Sequence, residues 1–159
     1  AKTMMAFPPF RSQVHGTDVL QFDSANIGLA VALDDGLRVP VIMGVEKQTL
    51  AQLADTTRAT IQQARDGKAV NAGLGTFTIS NLGMTETEEF TAIINPPEAA
   101  ILAVGRSKDD VKIVNGKVKA TKTMTLWLSS DHRIIDGMLA ARFLADLKAI
   151  LEQPERIAG

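Results

Sequence analysis

The tightest constraint on the fold lies in the last third of the chain. An apolar run, MTLWL (Met124–Leu128), leads into the polar stretch SSDHRIIDG (Ser129–Gly137), and MLAARFLADLKAIL (Met138–Leu151) follows. The first run reads as a strand. The last reads as a helix, because Ala140, Phe143, Leu144, Leu147, Ile150 and Leu151 recur at i, i+3, i+4 and i+7, with Pro154 as its stop. Two core elements therefore meet at a polar turn that holds Asp131, His132, Arg133 and Asp136.

The rest of the chain supplies more strands and a second helix. AKTMMAF reads as the tail of a helix that Pro8 and Pro9 stop. NIGLAVAL (Asn26–Leu33) reads as one buried strand, Asp34, Asp35 and Gly36 as a turn, and LRVPVI as a second extended run in which Pro40 marks an edge, an end or a bulge. In TLAQLADTTRATIQQARDG, the residues Leu50, Leu53, Ala54, Thr57, Ile61 and Ala64 share one helical face. Thr49 and Gln52 form a capping box for this helix, and Gly67 stands where a C-cap glycine belongs. GTFTISNLG begins as a strand and ends in turn-formers. TAIINPP is extended and broken by its prolines, AAILAVG is a buried strand, and Asn115-Gly116 signals a type I′ hairpin. Strands, hairpins and helices in this order predict an α/β fold, a two-layer sandwich with a mixed β-sheet.

Bulk properties narrow the function. A chain of 159 residues suits a single domain. Its net charge of −1 leaves no footprint for nucleic acid or an anionic membrane. No apolar run is long enough to span a bilayer, and the sequence given opens with no signal-peptide pattern. Cysteine is absent, which excludes disulfides, zinc thiolates and cysteine nucleophiles and is compatible with a reducing compartment. Histidine chemistry has two candidates, His15 and His132, and turn signals around His15 place it in a surface loop.

The polar turn admits two readings. In one, Asp136 is an N-cap, Asp131 and Arg133 form an ion pair at the strand end, and His132 is a satisfied, partly buried side chain. In the other, the strand-to-helix junction holds His132 rigidly as a general base. A metal site is the poorer fit, since one nitrogen and two carboxylates lack a second histidine. TISNLG (Thr78–Gly83) is equally divided: Ser80 and Asn81 either make a turn or aim a hydroxyl or amide at a developing oxyanion. The G-x-S-x-G pattern of a nucleophile elbow is missing.

Taken together, these blocks resemble a known family. DHRIIDG followed by the AARFLADLKAILEQP helix, GTFTISNLGM with EFTAIINPPEAAILAVG, and NIGLAVALDDGLRVPVI are similar, in order, to the signatures of the dihydrolipoamide acyltransferases. These are the E2 catalytic cores of 2-oxo acid dehydrogenase complexes, whose fold is shared with chloramphenicol acetyltransferase. The resemblance runs from Phe7 to Pro154, so residues 1–159 are expected to be an acyltransferase catalytic core domain. It implies acyl transfer, with acetyl the first expectation, between dihydrolipoamide and coenzyme A as substrates. The lipoyl group is carried on a separate domain and no metal takes part. His132 matches the general base, Ser80 the hydroxyl that stabilises the oxyanion, and Asp136 the residue that holds the arrangement. Implied partners are two further copies in a homotrimer with an intersubunit active site, a larger cubic or dodecahedral core, and the E1 and E3 components. Nucleic acid and membrane are not among them. The implied setting is the bacterial cytoplasm, or the mitochondrial matrix in a eukaryote.

Three departures accompany the resemblance. The family's domain starts earlier, so the N-terminal part is expected to be missing from this chain, as are the lipoyl and subunit-binding domains. Thr85 and Glu86 stand where relatives often carry a glycine and an aromatic residue, and the ending RIAG lacks an apolar tail. Two rival expectations are a non-catalytic structural core fragment and a free-standing chloramphenicol-type acetyltransferase.

Overall fold

In a computed structural model of the chain, residues 1–34, 36–153, 155 and 157 are described. Helix α1 (Lys2–Ala6) ends before Pro8, and the two prolines that stop it open a 3-10 turn over Pro8–Arg11. Strands β1 (Ser12–His15) and β2 (Asp18–Gln21) form an antiparallel hairpin. Next come β3 (Ile27–Leu29), β4 (Val31–Leu33), β5 (Gly36–Arg38) and β6 (Val41–Ile42), then helix α2 (Leu50–Arg65). Strands β7 (Phe77–Asn81), β8 (Ala100–Val104), β9 (Lys108–Val114), β10 (Lys117–Thr123) and β11 (Leu126–Ser130) lead to helix α3 (Gly137–Leu151).

The central sheet has the order β11-β8-β7-β3-β6. Strands β8, β7 and β3 run parallel, while β11 and β6 are antiparallel to their neighbours, so the sheet is mixed as the sequence predicts. Side chains alternate across it. Phe77, Ala100 and Leu102 enter the core with Met4, Phe10, Ile135 and Phe143, and Ile79, Leu126 and Leu128 pack against them. This face is the helix-covered layer. Phe143 of α3 stacks on Phe10 with ring centroids 3.9 Å apart and lies 5.7 Å from Phe77. Thr78, Ser80, Ile101, Ala103, Trp127 and Ser129 therefore occupy the opposite face.

An extended, irregular segment lies over that opposite face. At one end the Arg106 amide donates to the Thr87 carbonyl at 2.8 Å, and a Cβ on Gly105 would overlap the Glu88 carbonyl. Midway the Ser129 hydroxyl donates to the Ala92 carbonyl at 2.7 Å. At the other end lie Asn95, the cis Pro96–Pro97 bond and Glu98.

Local signals translate well. Thr49 and Gln52 make both bonds of the capping box, and Gly67, φ +87°, follows the C-cap of α2. Asn115 and Gly116 both have positive φ, 54° and 74°, as a type I′ turn requires.

Elsewhere the structure corrects the reading. Residues 26–33 are not one strand. The ladder between β3 and β6 stops at Pro40, which has no N–H, and its carbonyl takes the Leu29 amide at 2.9 Å. Ala30 turns its amide to the Ile79 carbonyl instead, and β4 pairs with β5 in a separate hairpin. Asp35, placed in the turn by sequence, lies outside the described residues, as does Pro154. On α2, Leu50 is 63% exposed whereas Thr60 is buried. On α3, Phe143 is fully buried and Leu151 is exposed at the helix end. Among the described residues no helix is long and apolar enough to cross a membrane.

Candidate active site

The polar turn grows directly out of the sheet. The Asp131 amide donates to the Ala99 carbonyl at 2.8 Å, extending the β11–β8 ladder by one step. The Asp131 carbonyl then accepts the amides of Ile134 and Ile135, which bends the chain sharply, and Ile135 is buried completely beneath the turn. Asp136 caps α3 by accepting the Leu139 amide at 2.7 Å on Oδ1. Both ends of the turn are thus fixed, whatever His132 does.

Asp131 and Arg133 pair with each other on either side of His132 in the chain. Arg133 Nη2 donates to Asp131 Oδ2 at 2.6 Å, and Nε lies 3.0 and 3.1 Å from the two carboxylate oxygens. The Arg133 amide also donates to Asp131 Oδ1 at 3.0 Å. These bonds hold the Asp131 carboxyl below the usual carboxylate range, against the opposing effect of its burial. Arg133 Nη1 reaches the Gly16 carbonyl at 3.3 Å and ties the turn to the β1–β2 hairpin. The ion pair and the cap expected from sequence are both present. His132 is not the satisfied, partly buried residue of the first reading: it is exposed, and it has no hydrogen-bond partner among the described residues.

His15 also departs from expectation. It is the last residue of β1 rather than a loop residue, and its Nε2 lies 3.0 Å from Gln13 Oε1.

Ser80 is half-buried on β7, on the face away from the helices, level with Ala103 and Trp127 across the sheet. Its hydroxyl has no partner among the described residues. Asn81 does not face a site; its Oδ1 accepts the Gly83 amide at 2.7 Å and closes the following turn. There the Thr85 hydroxyl donates to the Leu82 carbonyl at 2.7 Å and Glu86 pairs with Arg106.

Within one chain, Ser80 and His132 are not brought together. Trp127 is level with Ser80, and Asp131 lies four residues further along and two strands across, a separation of roughly 16 Å between Cα atoms at ordinary strand spacings. His132 is one residue beyond. The two side chains cannot span that gap.

One buried group escaped the sequence reading. Glu98 is 4% exposed. Its Oε2 accepts the Thr78 hydroxyl at 2.5 Å and its Oε1 the Asn95 amide nitrogen at 3.1 Å. Burial pushes its carboxyl above the ordinary glutamate value, with those two hydrogen bonds opposing. The only hint in sequence is an acid placed between two prolines and a wholly apolar strand.

The mixed sheet, the helices on one face and the D-H-R turn at a strand-to-helix junction define the chloramphenicol acetyltransferase class of fold. Chloramphenicol acetyltransferase itself superimposes with a TM-score of 0.51 over 89% of this chain and 69% of its own, at 15% identity, a likeness of fold alone.

A sharper match decides the family: residues 1–158 fit the model of the 2-oxoacid dehydrogenases acyltransferase catalytic domain, and the chain belongs to that family. A dihydrolipoamide acetyltransferase from Azotobacter vinelandii, studied for the roles of a serine, a histidine and an asparagine in its catalytic mechanism, is 36% identical with a TM-score of 0.88, covering 97% of this chain and 65% of that one. The cubic core of a pyruvate dehydrogenase multienzyme complex matches at 36% identity and a TM-score of 0.85, over 93% of this chain and 63% of that one. A succinyltransferase component of the 2-oxoglutarate dehydrogenase complex from Rickettsia bellii is 36% identical over 98% of this chain. The chain spans 40% of the length of that last protein, well under two thirds.

Proposed function

We propose that this chain is the catalytic-core part of an acyltransferase that moves an acyl group between dihydrolipoamide and coenzyme A. One observation carries the reading. Ser80, His132 and Asp136 are separated by 52 and 4 residues, the same intervals as the serine, histidine and asparagine of the Azotobacter enzyme. Asp136 stands where that protein has asparagine, and both residues cap a helix equally well.

In this scheme each residue has one role. His132, exposed between two occupied neighbours, accepts the proton of the attacking thiol. An ordinary thiol and an ordinary imidazole differ by about 2 pKa units, so complete transfer costs about 2.7 kcal/mol, small against an enzymatic barrier. The new carbon–sulfur bond places negative charge on the thioester oxygen, and the Ser80 hydroxyl donates a hydrogen bond to it, an interaction worth about 3 kcal/mol. As the old carbon–sulfur bond breaks, His132 returns its proton to the departing sulfur. No covalent enzyme intermediate is required, in keeping with a chain that has no cysteine. The thiol partners, coenzyme A and a lipoyl group carried on another domain, are substrates in this scheme.

The separation of Ser80 from His132 supports an active site built between copies of the chain, as in a trimer. Large apolar side chains left exposed, Ile93 at 93% and Met138 at 64% among them, favour further assembly into a core. E1 and E3 components would then be the functional partners. Relatives include both acetyl- and succinyltransferases, and acetyl remains our first choice. The likeness to chloramphenicol acetyltransferase rests on fold alone, so that reading is not retained.

The test is acyl transfer from acetyl- or succinyl-coenzyme A to dihydrolipoamide. Turnover lowered about 10²- to 10⁴-fold in His132→Ala supports the proposal. A mutant as active as its parent, or a parent with no turnover on either donor, sinks it and leaves the scaffold reading.

A further inference from the structure

Resting on the acyl-transfer reading, we infer that Glu98 is a positioning residue for Ser80, acting through Thr78 and the segment that covers the serine's face of the sheet. Thr78 and Ser80 are two residues apart on one strand, so their side chains leave the same face of β7. Thr78 is 1% exposed, and its hydroxyl is committed to Glu98 Oε2. The other carboxylate oxygen holds Asn95, the last residue of the irregular segment before the two prolines. One side chain thereby joins the strand that carries Ser80 to the irregular segment that lies over the same face of the sheet.

The site for this carboxyl is built into the backbone. A Cβ at Gly75 would stand 2.5 Å from Glu98 Oε1, and a Cβ at Gly28 would stand 2.6 Å from the Thr78 hydroxyl and 2.7 Å from Val39. Only residues without a side chain leave room there. Nearby, the Gln13 side chain donates to the carbonyls of Gly73 and Gly75, and Gln13 forms an isolated β-bridge with Glu98. Among the described residues no cation compensates the carboxyl; the groups bonded to its side chain are a hydroxyl and an amide. A buried acid in neutral surroundings is costly to retain for packing alone. Its position between strand and cover accounts for it.

The oxyanion interaction is steep in distance, so a strand free to shift by a fraction of an ångström loses it in the transition state while substrate binding persists. The experiment uses the assembled protein and steady-state acetyl transfer to dihydrolipoamide. Thr78→Val and Glu98→Ala are expected to lower kcat at least about tenfold with KM within about twofold. Thr78→Ser and Glu98→Gln, which keep the hydrogen bond, should stay within about threefold of the parent. The deciding arm is the double variant. Thr78→Val added to Ser80→Ala should cost nothing further, because the residue it positions is gone. Losses that multiply in the double variant, or a kcat that falls only as far as the folded assembly does, overturn the inference while leaving the acyl-transfer reading intact. A Ser80→Ala variant as active as the parent, or a parent without turnover, removes that reading and the inference with it.

Discussion

Among the described residues His132 has no hydrogen-bond partner, unlike its charged neighbours: Asp131 and Arg133 hold each other, and Asp136 holds α3. The roles of Asp131 and Asp136 were legible in the sequence because both act within a few residues of themselves. The same locality makes them easy to test. Asp136→Ala should lower stability by about 1 kcal/mol, read as a lower urea midpoint, whereas Asp136→Asn should keep the cap. Glu98 was illegible for the opposite reason. Asn95 is near it in sequence, but Thr78 lies on another strand, and the room the carboxyl needs is left by Gly28 and Gly75, far away in sequence. It should also leave a signature in pH. A folded state that raises the Glu98 pKa binds its proton more tightly than the unfolded chain does. That contribution is complete below the ordinary glutamate range and is lost as pH rises through the raised value. Denaturant unfolding across mildly acidic to neutral pH should therefore show a decline in the parent that Glu98→Gln abolishes; equal slopes in the two proteins would refute the assignment.

At the scale of elements, whatever a short stretch dictates was readable and whatever depends on pairing was not. The capping box of α2 and the Asn115-Gly116 turn are local geometry, and both form as expected. Splitting residues 26–33 into β3 and β4 depends on where Pro40 falls across the hairpin, which no single run of residues reveals. The exposed Leu50 and buried Thr60 likewise reflect where α2 meets the sheet rather than its own periodicity. The β9–β10 hairpin forms a two-stranded sheet of its own, so its stability rests heavily on the turn. Gly116→Ala, at φ 74°, should weaken it by about 1 kcal/mol. Amide exchange should quicken across residues 108–123 and hardly change in the central sheet.

For the molecule as a whole, the distance between Ser80 and His132 makes the strongest prediction. If each site takes its histidine from one copy and its serine from the next, two inactive variants can complement. Assemblies formed from equal amounts of His132→Ala and Ser80→Ala chains should regain about a quarter of parental activity, the fraction of junctions with both groups intact. Activity no higher than that of either variant alone would place both groups in one chain. The family was legible in the sequence because three blocks occur in order. The separation of its two candidate groups was expected only through the resemblance, as an intersubunit site; no run of residues reveals it, because it depends on strand register, and the pairings from β7 through β8 to β11 supply that.

The tight seating of Glu98 against Gly75 has a consequence for how this sequence can drift. Gly75 and position 98 are one choice, not two. An alanine at 75 would press a methyl group against the carboxylate, so Gly75→Ala should be damaging in the parent. In a Glu98→Ala background the same change meets chiefly Val41, at 3.2 Å, and should be far milder. Among relatives, an alanine at the first position should accompany a shorter side chain at the second. That rule of substitution would be written by a buried contact between a backbone position and a carboxyl group, distinct from both Ser80 and His132.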